Sequence, residues 1–150
     1  MDEPEVLKEE ETMSYIGMQL KKTKEGFEMS QEEYLESVEV EESKLKGGKI
    51  RPDLLDPPTE EEIKEEYVPL MQKIMGVTGW AARTQPDISF LFGELSRWST
   101  KPSAEKVEGG LRLLNHAKQR KTSLVFTAVK DPKMVVFYDG SYSLQKCEGQ

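Results

Sequence analysis

Between Thr59 and Lys121, apolar residues recur at helical spacing in three separate runs, and stretches that alternate apolar and polar residues lie on either side. This order, strand-like then helical then strand-like, restricts the chain to the α+β class. In the first helical run, Ile63, Tyr67, Leu70, Met71, Ile74 and Met75 lead to about Arg83. It is preceded by Thr59-Glu60-Glu61-Glu62, which has the pattern of a capping box. Pro69 interrupts the run, so a kink or a new helix start is expected there. Ile88, Leu91, Phe92, Leu95 and Trp98 define the second helix, with Pro86 ahead of it and Asp87 placed as its N-cap. Val107, Leu111, Leu114 and Lys118 share one face of the third, which starts near Ser103. Gly109 and Gly110 weaken that helix by about 1 kcal/mol each relative to alanine, so packing must hold it.

The flanks read as hairpins. Ser14 to Leu20 and Phe27 to Met29 alternate around a polar loop in which Gly26 can supply a positive φ. Ser30-Gln31-Glu32-Glu33 has the form of a second capping box, and a short helix through Tyr34, Leu35 and Val38 is expected after it. At the other end, Ser123 to Val129 and Met134 to Tyr138 are β-branched and aromatic runs separated by Lys130-Asp131-Pro132-Lys133, which predicts a hairpin leading into Asp139. The expected organisation is an acidic tail (1–13), a hairpin with a short helix (14–39), a linker rich in Glu, Lys, Gly and Pro (40–58), a helical region (59–121) and a C-terminal strand region (122–150).

A chain of 150 residues has room for one modest core. It holds no apolar stretch long enough to span a membrane, and Met1-Asp2-Glu3-Pro4-Glu5 lacks the features of a secretory signal, so an intracellular setting, cytoplasm or nucleus, is expected. Cys147 is the only cysteine, which excludes an internal disulfide. The net charge of -7 is unevenly divided: residues 1–66 carry 21 acids and 9 bases, and residues 67–150 carry 7 acids and 12 bases. Only the second half can attract a phosphate backbone, through Arg83, Arg97, Lys101, Lys106, Arg112, Lys118, Arg120 and Lys121. The competing reading of those cations is ordinary solvated helix surface. Trp80 and Trp98 have the helical spacing of core residues, although tryptophans can also stack on bases. His116 has no partner at metal spacing, and neither Ser96 nor Ser141 has a histidine and aspartate relay.

Four blocks, in one order, resemble the reverse transcriptase of copia-type retrotransposon Pol polyproteins. Tyr15-Ile16-Gly17-Met18-Gln19-Leu20 is similar to the hairpin that follows the catalytic aspartates and supports the primer end in that family. Gly26 to Tyr34 resembles the pattern after it. Gly76 to Phe90, with Thr84-Gln85-Pro86-Asp87-Ile88 at its centre, then Leu95-Ser96-Arg97 and Lys101-Pro102, resembles the series beyond, and Val107 to Lys118 the helix that follows. The resemblance covers most of residues 14–143. It implies the end of a palm, a thumb or connection region, and the first strands of a ribonuclease H domain. It also implies RNA or DNA primer-template and the remainder of a Pol polyprotein as partners, with Tyr15, Gly17 and Gln19 added to the nucleic-acid contacts. The departures are Gln85 for arginine, Met71 for tyrosine, Lys106 for histidine and Gly109-Gly110 for two alanines. The loss of arginine at 85 removes a planar bidentate donor.

Phe137-Tyr138-Asp139-Gly140-Ser141-Tyr142-Ser143 resembles the first ribonuclease H strand, which makes Asp139 the candidate catalytic and metal-binding carboxylate. Such a site uses two Mg2+ ions held by several carboxylates. The other acids of that set do not occur before Gln150, so stable Mg2+ binding by this chain is not expected. No adjacent Asp-Asp pair occurs anywhere, so the chain alone is not expected to polymerise. The expected function is to position primer-template without completing a catalytic site. The alternative is a non-enzymatic α+β protein-interaction domain derived from a retroelement.

Overall fold

The computed structural model describes residues 6–39 and 52–137. The chain is an α+β protein. A four-stranded antiparallel sheet, in the order β1-β2-β3-β4, stands beside a helical layer. β1 (Thr12–Tyr15) and β2 (Met18–Lys22) are joined by a two-residue turn in which both Ile16 (φ 51) and Gly17 (φ 74) lie in the left-handed region. Those signs define a type I′ hairpin, whose twist matches that of its strands. Ser14 to Leu20 is therefore two strands rather than the single one expected. β3 (Gly26–Ser30) pairs with β2, Leu20 opposite Met29 and Lys22 opposite Phe27.

β4 (Leu124–Thr127) corrects the expected C-terminal hairpin. It pairs with β3, Phe126 opposite Phe27 and Leu124 opposite Met29, while residues 132–137 form no strand. Gly26 explains how β4 can lie there. A Cβ at Gly26 would sit 1.8 Å from the Phe126 carbonyl oxygen, so the glycine is needed for close approach of two backbones. It does not supply the positive φ expected of it; Gly17 is the glycine that does.

The helices are α1 (Glu32–Ser37), α2 (Val68–Ala81), α3 (Ser89–Ser96) and α4 (Ala104–Arg120). Helix α2 begins beside Pro69, as expected, but nothing between Thr59 and Val68 is α-helical. Thr59 to Glu62 forms an isolated turn in which the Thr59 N–H donates to Glu62, and Glu65–Tyr67 is a short 3-10 turn. Neither other expected cap forms. Ser30 ends β3 and α1 starts after Gln31 without a side-chain cap; a 3-10 turn at Pro86–Ile88 precedes α3, and Asp87 does not cap it. Ser103 does cap α4, accepting from the Lys106 N–H at 3.3 Å.

The core lies between α2, α3 and α4, around Met71, Ile74, Ile88, Leu95, Leu113 and Leu114. Gly109 lets the strap before α2 join it. A Cβ there would meet Leu54 at 2.3 Å, and Leu54 is buried against α4. Part of the expected linker is thus anchored, whereas its residues 40–51 lie outside the described ones. Lys106 is 2% exposed, donates to the carbonyls of Leu54 and Asp56, and lies 5.8 Å from the Trp98 ring. It belongs to the interior, not to the basic surface proposed for it. Trp98 and Trp80 are both half-buried.

The sheet contributes nothing to this core. By register and alternation, Tyr15, Met13, Met18, Leu20, Lys22, Phe27, Met29, Leu124 and Phe126 share one face. Among the described residues, none of them belongs to the core or packs against it. The opposite face carries Gln19, whose amide donates to Glu33 of α1 at 2.9 Å.

Candidate nucleic-acid surface

The expected contacts fall into two groups. The first is the β1–β2 turn with the C-terminal end of α2. At Gly17 a Cβ would come within 3.7 Å of the Trp80 indole nitrogen and 3.8 Å of the Tyr34 ring, so the turn rests on Trp80 and Tyr34. Arg83 lies one turn further along, exposed, with its guanidinium 5.1 Å from the centre of the Trp80 ring. Stacking of this kind contributes about 0.5–1 kcal/mol at an exposed site. Tyr15 is 59% exposed beside the turn. Gln19 is half-buried and committed to Glu33. Tyr15 belongs to the sheet face opposite Gln19, so the cluster presents the backbone of a tight turn, an indole and a guanidinium, groups suited to a base or a sugar-phosphate backbone.

The second group is already engaged. Arg112 pairs with Glu108 at 2.6 Å, Arg97 with Glu94 at 3.3 Å and Arg120 with Asp87 at 3.4 Å. Lys118 donates to the Val38 carbonyl at 2.8 Å. Lys121 adopts a left-handed conformation at the end of α4 and bridges Glu32 and Glu36 at 2.5 and 2.9 Å. Hydrogen bonds that it donates to Glu32 and then to Glu36 hold its ammonium pKa above the usual lysine value. Lys118 and Lys121 thus fasten α1 to α4, while Arg120 and His116, at 3.2 Å from Asp87, fasten the 86–88 turn to α4. Helical geometry also separates them: at about 100° per residue, Lys118 points about 120° away from Arg112. The positive count of the second half does not translate into one continuous basic face. Lys101 is exposed.

The segment at 84–90 is an internal corner. Thr84 and Gln85 are 0% and 1% exposed; Thr84 Oγ1 donates to Gln31 Oε1 at 2.9 Å, and Gln85 Nε2 to the Ala117 carbonyl at 3.0 Å. A residue so placed meets the end of α4 and not a phosphate, whether it is glutamine or arginine. Hydrogen bonds across 53 and 32 residues of chain had no local signal in the sequence.

Asp139 lies outside the described residues. Among those described, no group of three or more His, Cys, Asp or Glu side chains is placed to hold a metal ion. No helix among them is long and apolar enough to cross a membrane. No protein-family model, curated protein or solved structure matches the chain.

Proposed function

We propose that the chain is a structural and positioning segment of a copia-type reverse transcriptase, acting inside the cell, that supports a primer-template through the β1–β2 turn and Arg83. The observation that carries this reading is the meeting of two blocks distant in sequence. Tyr15 to Leu20 and Gly76 to Arg83 each resemble that family, and they share one surface at Gly17, Trp80 and Arg83. A half-buried indole and an exposed cation beside a tight turn can hold a backbone in place without reading sequence.

No step through Mg2+ is assigned to this chain. Described residues offer no carboxylate cluster for it, and the sequence has no adjacent aspartates. In the parent polyprotein, Asp139 would be one ligand of a set completed elsewhere.

Anisotropy titration of labelled primer-template tests the proposal. Binding should weaken as salt rises, and Arg83→Glu should lower affinity and flatten the salt slope by about 1. Arg112→Glu, which removes a cation already paired with Glu108, should change affinity less. Salt-independent binding, no binding, or equal losses from the two variants would refute it. The second reading, a protein-interaction domain, is favoured by one feature alone, the uncovered apolar face of the sheet.

A further inference from the structure

We infer that the apolar face of the sheet is a self-association surface, covered in solution by the same face of a second copy. A sheet with one apolar face normally buries it against a helix layer or another sheet. Here α1 lies on the side of Gln19, and among the described residues no member of the apolar face belongs to the core or packs against it. Its central row is Met13, Leu20, Met29 and Leu124. Tyr15, Phe27 and Phe126, at 59%, 44% and 53% exposure, flank that row.

Two arguments select a second copy as the occupant. Charge is the first. The only charged residue on this face is Lys22, and its ammonium lies 5.5 Å from the Phe27 ring, so the face carries no acid and no cluster of charge for a charged partner to match. What covers it must be apolar over a similar area, and the face meets that description for itself. Area is the second. With aromatic side chains of about 200 Å² each, the three aromatics expose roughly 300 Å², and the half-buried row raises this to about 500 Å² per copy. Two such faces give roughly 1,000 Å², the lower bound for a biological interface and the range of a reversible one. Methionine makes the match easier, because its unbranched side chain adapts to an opposing surface.

Sedimentation velocity of the full chain across about 1–200 μM is the test. The expected result is a concentration-dependent shift from a 17.1 kDa species to one of twice that mass. Amide exchange at residues 12–30 should slow as concentration rises. Phe27→Glu with Phe126→Glu, at exposed positions, should keep the monomer's circular dichroism and move the midpoint at least tenfold higher. Val125→Glu, on the opposite face, should not. A monomer at every concentration overturns the proposal, as does a dimer unaffected by the double substitution. If the double variant fails to fold, the wild-type exchange experiment still decides: protection of residues 12–30 that is independent of concentration overturns it. The outcome is independent of nucleic-acid binding, which concerns the turn and Arg83.

Discussion

Gly26→Ala offers a direct test of the pairing that closes the sheet. The alanine Cβ would lie 1.8 Å from the Phe126 oxygen and 2.9 Å from its carbonyl carbon, both main-chain atoms that cannot rotate aside. Restoring contact distance requires β4 to move by more than 1 Å, and a ladder hydrogen bond does not survive such a shift. The pairing at risk includes four residue pairs, from Gly26–Thr127 to Met29–Leu124, and the flanking bond from the Ala128 N–H to the Glu25 carbonyl at 2.9 Å. With about 1 kcal/mol for each of two to four hydrogen bonds, the loss is about 2–4 kcal/mol. Gly17→Ala is the control: its φ of +74 disfavours alanine, but the nearest atoms are at 3.7 Å, so the cost is about 1 kcal/mol. Urea unfolding measures both, and amide exchange locates the loss. Gly26→Ala should expose residues 124–128 while leaving α2 and α4 protected. Equal costs for the two variants, or unchanged protection at 124–128, would refute the assignment of β4 to this sheet.

Thr84→Val removes the hydroxyl that satisfies Gln31 Oε1 in a buried site, and Gln31 Nε2 already has no partner, so urea unfolding should show a loss of about 1–3 kcal/mol. The Thr59 turn should respond to acid. Its backbone N–H is the main cause, ahead of the Thr59 side chain and the charge of Lys106, of a Glu62 pKa below the ordinary glutamate value. A depressed carboxylate pKa stabilises the turn above the unfolded pKa, and the effect is lost as pH falls through the folded one. Exchange at the Thr59 amide, corrected for its intrinsic pH dependence, should therefore lose protection below the usual glutamate range, and Glu62→Gln should abolish that pH dependence.

The helical half was legible because its signals are local. Pro69 marked the start of α2 and Ser103 that of α4, and the apolar spacing of Leu111 and Leu114 identified the buried side of α4. Motifs failed where tertiary structure made other use of the same atoms. Ser30 ends a strand, Glu33 bonds to Gln19, and Asp87 faces His116 and Arg120. The partner of β4 was not legible, since residues 124–127 suit a hairpin with 134–137 as well as an edge beside β3. Gly26, opposite Thr127, was the only clue. Charge counts located cations but not their partners. That is why Lys106, Lys118 and Lys121 read as surface while they hold the strap and α1 in place.

The distance in sequence between β3 and β4 also sets an order of events during synthesis. β3 is complete at Ser30, but its neighbour begins only at Leu124. At ribosomal rates of about 5–20 residues per second, the intervening roughly ninety residues keep one edge of the hairpin open for about 5–20 s. During that interval, hairpins on adjacent nascent chains can zip together edge to edge. Arrival of β4 at Gly26 ends the exposure, so its late placement acts as the closing step of the sheet's assembly.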